Sequence, residues 1–124
     1  MIPCPPNCFY LQQALPLAQQ LNEQETLGTV LNNLGSAHKS LKHWPQAEQY
    51  LQQSLAHNLR VQGDGASVLA YTYFHLAGVA HAQSQSARAR EYAQKSLALA
   101  ERNKLAELRK EVEALLREMT RDKK

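Results

Sequence analysis

Three six-residue segments of this chain are near copies of one another: Tyr10-Leu-Gln-Gln-Ala-Leu15, Tyr50-Leu-Gln-Gln-Ser-Leu55 and Tyr92-Ala-Gln-Lys-Ser-Leu97. They begin 40 and 42 residues apart. An internal period of this length predicts an array of helical hairpins. Each unit is then one supersecondary element, and it must stack on its neighbours to bury its apolar face.

The apolar spacing supports that reading along the whole chain. From Phe9 to about Asn22, Leu11, Ala14, Leu15, Ala18 and Leu21 recur every three or four residues and share one helical face. Pro16 falls inside this run and removes one backbone donor. A second helix is predicted from about Glu25 to Leu41, on Leu27, Val30, Leu31, Leu34, Ala37, His38 and Leu41. Lys42-His-Trp-Pro45 reads as a turn, with Pro45 opening the next helix on Ala47, Tyr50, Leu51, Ser54, Leu55 and Leu59.

Gln62-Gly-Asp-Gly65 is the clearest break in the chain. Beyond it, a helix from about Ser67 to Gln83 carries Leu69, Tyr73, Leu76, Ala77 and Ala80. The polar link Ser84-Gln-Ser86 leads to a further helix with Ala89, Ala93, Leu97 and Ala100, which breaks near Asn103. A last helix, about Leu105 to Thr120, spaces Leu105, Leu108, Val112, Leu115 and Met119 as two heptads. The fold class is all-α.

These residues resemble the tetratricopeptide repeat (TPR) family, whose pattern sets a large apolar residue, Leu-Gly and an aromatic on a first helix, then Ala, aromatic and Ala on a second. One repeat is similar through Leu31, Leu34-Gly35, His38, Leu41, Trp44, Ala47, Leu51 and Ser54-Leu55. The next is similar through Tyr73, Leu76-Ala77, Ala80, Ala89, Ala93 and Ser96-Leu97. His38 and Ala80 depart from the usual aromatic, and Ser86 stands where Trp44 stands in the earlier repeat. The long period resembles the longer TPR variants of kinesin light chains and bacterial regulators.

The resemblance implies a right-handed α-solenoid. It would hold about two full repeats, a leading half repeat and a C-terminal capping helix. Residues 1–8 form a Pro-rich lead-in, 9–104 the repeats, 105–120 a capping or dimerising helix and 121–124 a basic tail. Tyr10–Leu15 matches second-helix positions, so the leading unit is half a hairpin with an uncovered face.

The same resemblance implies a non-catalytic module that holds a peptide or helix of a partner protein in a concave groove lined by first helices. By position that groove takes Thr29, Asn32, Asn33, Ser36, Lys39 and Ser40, then Tyr71, Phe74, His75, Gly78 and His81. Exposed aromatics beside amides and a lysine suit peptide capture. The alternative is self-association, a homodimer or a piece of a longer array, through Leu11 and Leu15 or through Leu105, Leu108, Val112 and Leu115.

Other chemistry finds little footing. The chain has no Gly-rich phosphate loop, nucleophile elbow or paired catalytic carboxylates, so no enzyme activity and no cofactor are expected. His38 and His43 are five apart, and His75 and His81 six apart. Neither pair has the i, i+4 placement that aligns two metal ligands on a helix, so no metal site is expected. Cys4 and Cys8 both sit in the lead-in, and no disulfide framework spans the body, which suits a reducing cytoplasm.

The +3 net charge comes from the second half. Residues 60–124 hold twelve Lys/Arg and eight Asp/Glu, against two Lys and three Glu in residues 1–59. Arg88, Arg90, Lys95, Arg102 and Arg109 are interleaved with acids, which argues against nucleic acid as the partner. No run of about 18 apolar residues predicts a membrane span. The start lacks the basic segment of a secretory signal.

Overall fold

The computed structural model describes residues 24–122, and these form five α-helices. They are α1 (Gln24–Ser40), α2 (Trp44–Gln62), α3 (Ser67–Ala82), α4 (Ser86–Arg102) and α5 (Ala106–Asp122). No strand occurs among the described residues. The helix expected between Phe9 and Asn22, with Pro16, lies outside them, as do Cys4 and Cys8. The chain divides into two compact units at Gly63, inside the expected break. α1 packs on α2 in the first unit; in the second, α3 packs on α4 and α5 packs on both.

Three of the turns share one construction, and none of them uses glycine. Lys42, Ser84 and Lys104 each adopt a left-handed backbone, with φ of 61°, 61° and 59°. After each, the next N–H reaches back to the carbonyl five residues earlier. His43 donates to His38 at 2.9 Å, Gln85 to Ala80 at 2.9 Å and Leu105 to Ala100 at 2.8 Å. The left-handed residue itself donates three residues back, to Lys39, His81 and Glu101. This is the Schellman arrangement, which satisfies the last carbonyls of a helix.

A residue with a Cβ pays a conformational penalty there of roughly 1–2 kcal/mol, partly offset by the greater unfolded-state entropy of glycine. Ser84→Gly should therefore raise stability by about 0.5–1 kcal/mol. The check is a higher urea midpoint at unchanged denaturant slope.

The two hairpins fill the space between their helices differently. A Cβ on Gly35 would stand 2.5 Å from Leu51 Cγ and 3.3 Å from the Ala47 carbonyl oxygen, so only glycine admits α2 at this depth. In the second unit Ala77 and Ala93 hold the corresponding positions, and both are fully buried. Gly28 likewise faces the Asn58 side chain, which a Cβ would strike. Ala70 and Ala100 take those places in the second hairpin. Glycine opposite a large side chain in one unit is thus alanine opposite alanine in the other, so a Cβ added on one helix goes with a shorter side chain on the facing one.

The serine of the repeated hexapeptide has a defined role in both units. Ser54 Oγ donates to the Gly28 carbonyl at 3.0 Å, and Ser96 Oγ to the Ala70 carbonyl at 2.7 Å. Both serines are fully buried. Each hydroxyl uses the second lone pair of a helical carbonyl and so fixes one helix against the other without an unsatisfied polar group. Asn58 Nδ2 extends the first of these bonds by donating to Ser54 Oγ at 3.1 Å.

Candidate protein-interaction faces

α1 turns Val30, Leu31, Leu34, Ala37 and His38 into the interior of its unit. Of the expected groove residues, Thr29, Asn33 and Ser40 are exposed, and Ser36 and Lys39 are half-buried. Thr29, Asn33, Ser36 and Ser40 follow i, i+4, i+7 and i+11 spacing and form one stripe. Ser40 Oγ donates to the Ser36 carbonyl at 3.2 Å.

Asn32 stands elsewhere. It is only 7% exposed. Its spacing puts it on the stripe Gly28–Asn32–Gly35, the side on which Asn58 and Leu51 approach most closely.

In the second unit α3 carries no Asp, Glu, Lys or Arg in its 16 residues. Leu69, Ala70, Thr72, Leu76, Ala77, Val79 and Ala80 are buried. The other side presents Tyr71, 41% exposed, with Phe74, His75, Gly78 and His81 half-buried. Phe74 and His75 lie with ring centroids 5.6 Å apart at 53°. Phe74 also packs on the core formed by Ala70, Ala77, Ala89, Ala93 and their neighbours, so it supports the face as much as it presents one.

The expected self-association residues divide. Leu11 and Leu15 lie outside the described residues. Leu108 and Val112 are 2% and 0% exposed, and Leu105 and Leu115 pack against the same core. Leu108 and Val112 are thus held inside their own unit as α5 covers α4, whereas Leu105 and Leu115 are half-buried at the edge of that core.

α4 carries a different surface. Arg88 lies over the Tyr92 ring and Lys95 over the Tyr73 ring, at 5.8 and 5.6 Å, and the two tyrosines stack at 6.0 Å. Lys95 also pairs with Glu91 at 3.4 Å. The cations are thus held on aromatic faces and beside an acid, not gathered into an open basic stripe. An open cavity of about 350 Å³ lies at the α4–α5 turn, between Ala100, Glu101, Lys104, Leu105, Ala106 and Arg109.

Among the described residues no three His, Cys, Asp or Glu side chains gather as metal ligands, and no helix is long and apolar enough to cross a membrane. Two features escaped sequence reasoning. One is the serine bond across each hairpin, whose signal was a hydroxyl repeated on an apolar face. The other is the meeting of His38 and His43, whose Nδ1 atoms are 3.2 Å apart because the turn, not a helix, relates them.

Paired helices joined by short turns, repeating at 42 residues with small residues at the crossings, define an α-helical repeat protein. The tetratricopeptide repeat profile matches residues 26–102. The chain belongs to the tetratricopeptide repeat family, whose members in general mediate protein–protein interaction without catalysis.

Among solved structures, the chain is similar to the crystal structure of BtubC (BKLC) from P. vanneervenii, with a TM-score of 0.68 and 20% identity. The match covers 92% of this chain and 54% of that one. At this identity the likeness is one of fold, and the chain spans about half the length of that protein. Comparison with curated proteins finds no match.

Proposed function

We propose that the chain is a non-catalytic interaction module whose first-helix faces take up a peptide or helix of a partner protein. The observation that carries this reading is the face of α3. A helix without a single charged residue normally has its whole circumference covered. Here it leaves Tyr71 41% exposed beside His75 and Gly78. Tyrosine supplies a large, rigid contact with an apolar body and a polar tip, the kind of side chain that dominates binding energy at interfaces. On α1, in the other unit, Asn33 and Lys39 present donors and an acceptor of their own, groups that can orient a peptide backbone.

The test is selection of peptides from a displayed library on the immobilised chain, followed by titration of the best binder against variants. Tyr71→Ala should weaken binding by at least about tenfold, as loss of an aromatic anchor does. Asn33→Ala should weaken it less, and both variants should keep their helical circular dichroism. Undiminished binding by two folded variants would remove these faces from the interaction.

A further inference from the structure

Four residues separate His38 from His43, yet their side chains meet head to head. The left-handed Lys42 turns the chain back, and the His43 N–H bonds the His38 carbonyl at 2.9 Å, so the two backbones are held in fixed relation. His38 is 7% exposed and stacks on Tyr50 of α2, with centroids 5.4 Å apart and planes at 12°. His43 is half-buried.

The geometry of the contact decides what it can hold. The ring centroids are 5.5 Å apart and the two Nδ1 atoms 3.2 Å, a difference of 2.3 Å. That difference is one centre-to-vertex length of an imidazole at each end. Both nitrogens therefore lie on the line between the rings and point at one another. Two Zn–N bonds of about 2.0–2.1 Å are together longer than this gap, so an ion could not lie on that line. A single hydrogen fits it.

In the neutral pair one Nδ1–H donates and the other Nδ1 accepts, each ring carrying the complementary tautomer. A first added proton goes to the outer Nε2 of the donor ring and leaves the bond intact and charge-assisted. A second would set two N–H groups and two positive charges against each other.

We propose that His38 and His43 act as a shared-proton pair, taking one proton in the folded chain where the unfolded chain takes two, so that acid loosens the α1–α2 turn. Burial first, and the charge of His43 second, hold His38 below the ordinary histidine value of 6.5. Tyr50 is the titratable side chain stacked on His38 from α2, the helix packed against α1. The sign follows from linkage. Below about pH 6.5 the unfolded chain binds more protons than the folded one, so the stability is complete above that pH and falls as pH drops through it.

The experiment is a pH titration of the assigned histidine ring nitrogens by NMR on the full chain, from pH 8 to 5, paired with urea midpoints over the same range. One ring of the pair should protonate while the other stays neutral as long as the chain is folded. The midpoint should fall with a slope of about one proton taken up on unfolding. His43→Ala should move the His38 titration upward and flatten that slope. His43→Asn, which keeps a polar side chain at the turn but does not titrate, should do the same if the alanine variant does not fold. Independent protonation of both rings near 6.5 in the folded chain would overturn the proposal. So would an unchanged His38 titration in the folded position-43 variant.

Discussion

Leu51→Ala should cost the chain about 2–5 kcal/mol, and Gly35→Ala a further loss of its own, yet the two together should cost less than their sum by at least about 1 kcal/mol. Leu51 is fully buried, so removing its branched end leaves a cavity that the first unit can only partly close. Gly35→Ala acts from the other side. It gains up to about 1 kcal/mol of helix propensity, but its Cβ would stand 2.5 Å from Leu51 Cγ, and overpacking of that kind costs about 1–3 kcal/mol. Leu51 has no solvent-facing path of retreat. With alanine at both positions the added Cβ occupies part of the space the leucine vacates.

The second unit supports the pairing, because Ala77 and Ala93 hold these places and both are buried at 0% exposure. Urea midpoints of the two single variants and the double variant close the cycle. Strict additivity would show that Gly35 and Leu51 do not share one volume, and the volume exchange between the repeats would lose its basis.

The distance between reading and structure is itself physical. Helix positions are readable because burial imposes a period of three and four on any helix lying against a partner; α1 and α3 begin at Gln24 and Ser67, where the spacing predicts about Glu25 and about Ser67. Asn103 reads as an end because asparagine is favoured just past a helix, and its backbone N–H and Nδ2 both donate to the Leu99 carbonyl at 2.9 Å, while Nδ2 also reaches the Gly65 carbonyl at 3.2 Å. What periodicity does not carry is depth. It placed Asn32 on an open face, whereas the two glycines flanking it at i−4 and i+3 let α2 in close enough to bury it. Nor does it carry geometry across a turn: His38 and His43 are poorly spaced for one helix but meet once Lys42 reverses the chain. The candidate faces on α1 and α3 follow from family position, and their chemistry rests on side chains that spacing alone does not rank.

Val112→Asp should destabilise the second unit by at least about 3 kcal/mol, the scale on which an uncompensated buried charge acts. Val112 is 0% exposed and shares the core with Leu108, Met119, Ala93 and Ala100. The other face of α5 is charged, with Arg109–Glu113 and Lys110–Glu107 at 3.9 and 4.0 Å, and exposed pairs of this kind add little. The helix is therefore held by its apolar stripe, and a carboxylate in the middle of that stripe must either be buried uncompensated or pull α5 away. Amide hydrogen exchange should show protection lost along α5 and along the side of α4 beneath it. Glu111→Ala, on the exposed side, should stay within about 0.5 kcal/mol of the parent. The same variant separates the two uses of the heptad. If Val112→Asp lowered the mass in sedimentation equilibrium while leaving the urea midpoint and helicity unchanged, the stripe would be an interface between copies and not the inner face of a cap.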